Sequence, residues 1–92
     1  MSHSKKLPED KSEDFNEIIS LLTHLKEDEG VPKNIRAKID VITSELNSSA
    51  DLATRVGKSL QHLDEISEDL NIEPMIRQQV WNISSKLEKL NN

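Results

Sequence analysis

The chain has 92 residues, 34% of them hydrophobic and 32% charged, with a net charge of −5 and no cysteine. That composition allows one small domain with a thin core, and it excludes disulfides, thiolate metal sites and thiol nucleophiles. The acidic balance argues against generic nucleic-acid binding and against adsorption to anionic membrane, and no apolar run approaches the roughly 20 residues of a membrane helix.

Met1 to Glu9 is polar, mixed in charge and without periodicity, so residues 1–9 are expected to form a mobile tail. It does not resemble a signal peptide, and the default location is the cytoplasm. Residues 10–92 read as a single all-α domain. The first helix should start near Asp10 to Ser12, with Asp10 and Glu13 as a capping box. Phe15, Ile18, Ile19, Leu22 and Leu25 recur at helical spacing and form one stripe. Gly30 can end the helix in a left-handed conformation.

Pro32 is suited to the first position of a second helix, because proline lacks the N–H that would be unsatisfied there. Its stripe is Ile35, Ile39, Ile42 and Leu46. Asn47-Ser48-Ser49 breaks the pattern, and Ser48, Ser49 or Asp51 can cap the next helix. This third helix carries Leu52, Val56, Leu60, Leu63, Ile66 and Leu70. Ala53 and Gly57 are small residues one turn apart, which permits close helix approach or simply tolerates a glycine. Asn71-Ile72-Glu73 is a loop. The fourth helix begins at Pro74 and carries Ile76, Val80, Ile83, Leu87 and Leu90.

The second half repeats the first. At an offset of 41 residues, Ile35-Arg36 falls on Ile76-Arg77, Ile42 on Ile83 and Leu46 on Leu87. Phe15, Ile19, Leu22 and Leu25 fall on Val56, Leu60, Leu63 and Ile66, and Glu27-Asp28 on Glu68-Asp69. Two similar helical hairpins with short loops predict an antiparallel four-helix bundle.

The Val31-Pro32 turn followed by Ile35-Arg36, the segment Leu63-Asp64-Glu65-Ile66-Ser67, and the Arg77 to Leu87 run with Val80-Trp81-Asn82-Ile83 resemble a family of small uncharacterised archaeal proteins, family 0147. The resemblance covers nearly all of the chain after the tail. It implies a compact four-helix fold, with a layout similar to bromodomain-like bundles. It implies no activity, and a shared layout does not imply acetyl-lysine binding.

Candidate functional residues are few. Acids close the first and third helices, and Lys33, Arg36 and Arg77 open the second and fourth. Each set opposes its own helix dipole, but the two complement one another across a hairpin. Arg36 is therefore expected to reach Glu27 or Asp28, and Arg77 to reach Glu68 or Asp69. Alternatively, the arginines bind an anionic partner. Trp81 lies off the apolar stripe, so it can cover the bundle edge, stack on Arg77 or anchor a partner. Val41 is also off its stripe and could extend such a patch.

His24 with Glu27 and His62 with Glu65 are spaced i, i+3. Di-iron bundles use the order Glu-x-x-His pointing inward, whereas here the order is reversed and the histidines lie off the stripes. Solvated histidines are expected, with no metal and no cofactor. No serine is matched to a histidine and a carboxylate, so no enzymatic function is expected. The leading reading is an interaction module that docks on another protein or on itself. The alternative is a nucleic-acid-associated accessory factor using Lys33, Arg36, Lys38 and Arg77.

Overall fold

The computed structural model describes residues 9–91, with side chains from Ser12 onward, and the expected tail and His3 lie outside them. The described residues form four helices and no strand: α1 (Glu9–Glu27), α2 (Lys33–Leu46), α3 (Leu52–Ser67) and α4 (Pro74–Leu90). Each helix touches its two sequence neighbours in a closed ring, α1 also packing on α4. The diagonal pairs α1/α3 and α2/α4 do not pack backbone to backbone among the described residues and meet only through side chains. This is the antiparallel bundle of two hairpins that the repeat predicts.

Burial follows the stripes most closely in α2 and α4. Ile35, Ile39, Ile42 and Leu46 are buried from α2, and Ile76, Val80, Ile83, Leu87 and Leu90 from α4. In α1, Ile18, Leu22 and Leu25 are fully buried, while Phe15 and Ile19 only flank the core. The inward residues of α3 are Val56, Ser59, Leu63 and Ile66. Leu60, expected inside, flanks the core, and the Ser59 hydroxyl takes the inner position without a hydrogen-bond partner. Ser59 is the repeat equivalent of Ile18, so helix phase rather than hydrophobicity sets which residue points inward.

Helix ends depart from expectation in instructive ways. Asp10 lies inside α1 rather than at its N-cap, and its capping box with Glu13 falls on a side chain outside the described residues. Pro32 is the N-cap of α2, one position earlier than expected, with extended backbone. Pro74 does occupy the start of α4, after an N-cap at Glu73. Asp51 caps α3, accepting the Thr54 N–H at 2.9 Å.

Neither glycine has a positive φ, so Gly30 is not a left-handed cap. The Asp28 carboxylate instead accepts the Gly30 N–H at 2.8 Å and turns the chain. A side chain at Gly30 would meet Glu73 Oε1 at 3.1 Å, so this glycine lets the two hairpin loops approach. Gly57 has open space around it and Ala53 is exposed, so the small pair does not draw helices together within the chain. Leu70, read as part of the α3 stripe, is 93% exposed. α3 stops at Ser67, and Ile72 from the loop is buried instead.

Candidate functional site

Positive charge at the ends of the bundle is committed to the backbone. The chain has three arginines, and each is the fourth residue after the N-cap of its helix. Each reaches back to the end of the preceding helix. Arg36 Nη2 donates to the Asp28 carbonyl at 3.2 Å. Arg55 Nη1 donates to the Leu46 carbonyl at 2.9 Å. Arg77 donates from Nε to the Ser67 carbonyl and from Nη2 to the Asp69 carbonyl, both at 2.9 Å.

The last carbonyls of a helix lack intrahelical donors and carry the negative end of its dipole. A guanidinium there supplies both hydrogen bonds and opposite charge. The expected partners of Arg36 and Arg77 were the carboxylates of these segments. The segments are the expected ones, but the acceptors are main-chain oxygens. Arg55, which sequence reasoning passed over, does the same and also lies 6.0 Å above the Phe15 ring.

The cluster of Lys33, Arg36, Lys38 and Arg77 is accordingly not a free basic surface. Arg36 and Arg77 are half-buried against carbonyls. Lys38 pairs with Glu65, whose carboxyl is held below its ordinary range by that hydrogen bond and by the lysine charge. Lys33 is exposed beside a loop that carries Asp28 and Glu29.

The histidines lie apart. His24 is exposed, with Nδ1 at 3.0 Å from the Ser20 carbonyl. His62 is half-buried, with Nδ1 at 3.7 Å from Glu65. They sit on the diagonal helices α1 and α3.

What remains as a candidate surface is the outer face of α4. Trp81 is 53% exposed and lies in a shallow depression with Gln78, Gln79, Asn82 and Ser85. From Gln78 to Ser85 the helix has no charged residue, in a chain that is one third charged. Met75, in the first turn of α4, is 69% exposed. Arg77 turns toward the α3 carbonyls and does not stack on the indole.

Val41 is 46% exposed on α2 and lines a separate depression with Asp40 and Ser44. Because α2 and α4 are diagonal, Val41 does not extend the Trp81 surface. The proposed contact residues Trp81, Arg77, Arg36 and Val41 therefore split three ways. Trp81 stands on an open face, the arginines bind carbonyls, and Val41 lies elsewhere.

A further depression, about 300 Å³, lies in the seam between α1 and α4. It is lined by Leu21, His24, Gln79, Asn82 and Ile83, and it shares Gln79 and Asn82 with the Trp81 depression. Sequence reasoning missed it, because Leu21 lies off the α1 stripe and the seam exists only once α4 packs on α1. No described helix is long and apolar enough to cross a membrane.

Comparison with known proteins places the chain. The Uncharacterised protein family (UPF0147) matches residues 2–90. A UPF0147 protein of Methanothermobacter thermautotrophicus is 39% identical over 80 residues, covering 86% of this chain and 78% of that protein. One from Methanosarcina mazei is 34% identical over 82 residues, covering 88% of each. The crystal structure of a protein from uncharacterized family UPF0147 of Thermoplasma acidophilum superposes with a TM-score of 0.83 at 34% identity, covering 87% of this chain and 95% of that one. A crystal structure of a protein of unknown function gives a TM-score of 0.82 at 39% identity, covering 97% of this chain and 100% of that one. The chain belongs to the Uncharacterised protein family (UPF0147), and the solved member from Thermoplasma acidophilum has the same compact all-α fold.

Proposed function

We propose that this protein is a small non-enzymatic interaction module that acts in the cytoplasm by docking a protein surface on the outer face of α4. The observation that carries the reading is Trp81, a large aromatic left half-exposed on an uncharged stretch of helix. Aromatic anchors of this kind dominate binding energy when a partner covers them, while the residues around them serve mainly to exclude water. The rest of the molecule supplies rigidity: among the described residues, three helix ends are tied to the next helix by arginine, and four inter-helix lysine–carboxylate pairs cross the seams.

The test is recovery of partners from native cell extract with tagged protein, with and without nuclease, using the natural sequence and Trp81→Ala in parallel. The reading expects a stoichiometric, nuclease-resistant complex that the substitution weakens at least about tenfold while the circular dichroism spectrum stays helical. A complex indifferent to Trp81→Ala removes the α4 face from the reading. A complex lost on nuclease treatment supports the nucleic-acid alternative instead.

A further inference from the structure

The duplication provides an internal control for the α4 face. Under the 41-residue repeat, α1 corresponds to α3 and α2 to α4, so the α1/α4 seam corresponds to the α3/α2 seam. One ion pair is kept in both, with its charges exchanged. Lys86 pairs with Glu17 at 3.4 Å in the first seam, and Glu45 with Lys58 at 3.9 Å in the second.

Two turns along, the seams differ. The α3/α2 seam is closed by Lys38 and Glu65. Their equivalents in the α1/α4 seam are Gln79 and His24, which leave the depression floored by Leu21 and Ile83. Asp40 shows the same contrast. It is tied to Lys26 at 2.6 Å across the α1/α2 seam, whereas the equivalent of Asp40 is Trp81 on α4 and that of Lys26 is Ser67 on α3. α2 is strapped on both flanks by ion pairs. At the matching positions α4 has an open groove and a protruding indole.

We infer that this groove and Trp81 form a self-complementary interface, in which Trp81 of one copy of the chain enters the Leu21–His24–Gln79–Asn82–Ile83 groove of a second copy and the second copy reciprocates. The inference rests on the docking reading and names its occupant. Two observations select a second copy. First, the projecting side chain and the depression share Gln79 and Asn82 on one helix face, as a two-fold interface requires, since each partner must present both halves of the contact. The depression is at the small end for a ligand pocket, and it suits one side chain presented by a helix.

Second, charge decides between partners. Each copy carries −5, so like-charge repulsion between copies is least where they meet through a face without charge. The Gln78 to Ser85 stretch is such a face. A basic partner would be drawn instead to the acid-rich loops around Asp28 and Asp69.

The experiment is analytical ultracentrifugation of the purified chain over a concentration series, with fluorescence of its single tryptophan recorded on the same samples. The interface predicts a reversible monomer–dimer equilibrium and an emission maximum that moves to shorter wavelength as dimer forms. Trp81→Ala should weaken association at least about tenfold. The double variant His24→Glu with Gln79→Lys copies the Lys38–Glu65 closure into this seam. It should be equally monomeric, with helicity unchanged. A natural chain that is monomeric up to about 1 mM, or a dimer that survives both variants, overturns the inference. A monomer that still captures a foreign protein in a Trp81-dependent way overturns self-pairing and leaves the docking reading standing.

Discussion

The loop of residues 28–32 and the loop of residues 68–73 answer one structural demand with the same kinds of side chain, whereas the seams between the helices do not. Asp28 and Asp69 each accept a main-chain N–H two residues on, from Gly30 and from Asn71, both at 2.8 Å. Val31 and Ile72 each plug the end of the core. Arg36 and Arg77 each donate to the carbonyl of that aspartate. The retained residues are those that satisfy backbone groups a loop would otherwise leave open. The seams between helices, where water can satisfy whatever the protein does not, have changed their charges and sizes freely. The difference teaches where the chain is constrained by folding and where it is available for function.

The plugs test that equivalence with the largest effect. Ile72→Ala should destabilise the fold by about 2–4 kcal/mol through lost burial and the cavity left behind. Val31→Ala removes less volume and should lose about 1–2 kcal/mol. Urea denaturation followed by circular dichroism measures both. Equal losses would mean that the two loops do not share one packing solution.

The arginines sharpen the comparison. Arg77 makes two carbonyl bonds, whereas Arg36 makes one and its Nε finds no partner among the described residues. Arg77→Ala should therefore cost about 2 kcal/mol and Arg36→Ala about 1 kcal/mol. Replacement of Arg77 by Lys should recover only part of the loss, since a single ammonium cannot reproduce the fork. If Arg36→Ala proved the more harmful, the carbonyl contacts would not be what these residues supply.

The smallest effect separates the two seams by pH. Glu65 is held below its ordinary value of 4.5 by the Lys38 hydrogen bond and charge. Its folded pKa is depressed, so its contribution is fully present above the unfolded value and is lost as pH falls through the folded one. Stability should decline through and below the ordinary carboxylate range, and Lys38→Met should flatten that part of the profile. Asp51, lowered by its hydrogen bonds from Thr54, titrates in the same direction.

Much of the architecture was legible in the residues. Periodicity marked four helices, and the repeat paired them into hairpins. The α4 stripe of Ile76, Val80, Ile83, Leu87 and Leu90 is buried throughout. What was not legible depends on the neighbour across the bundle. Leu70 fits the α3 stripe in sequence, yet the helix stops before reaching it, and the loop turns Ile72 inward instead. Ser59 gave no hydrophobic signal although its position faces the core. Arg36 and Arg77 were matched to acids because a sequence displays charged side chains and does not display orphan carbonyls. Trp81 was visible as an off-stripe aromatic, but the groove beside it is made by two helices far apart in the chain.

Every guanidinium that finishes a helix end lies downstream of the helix it finishes. During synthesis, then, the Asp28 carbonyl just past α1 lacks its guanidinium until the first turn of α2 emerges, and the Ser67 carbonyl at the end of α3 waits likewise for Arg77. The molecule is latched in the direction of translation, each helix secured by the next. A chain halted after Ser67 would lack the Arg77 donor that its last α3 carbonyl takes in the full chain.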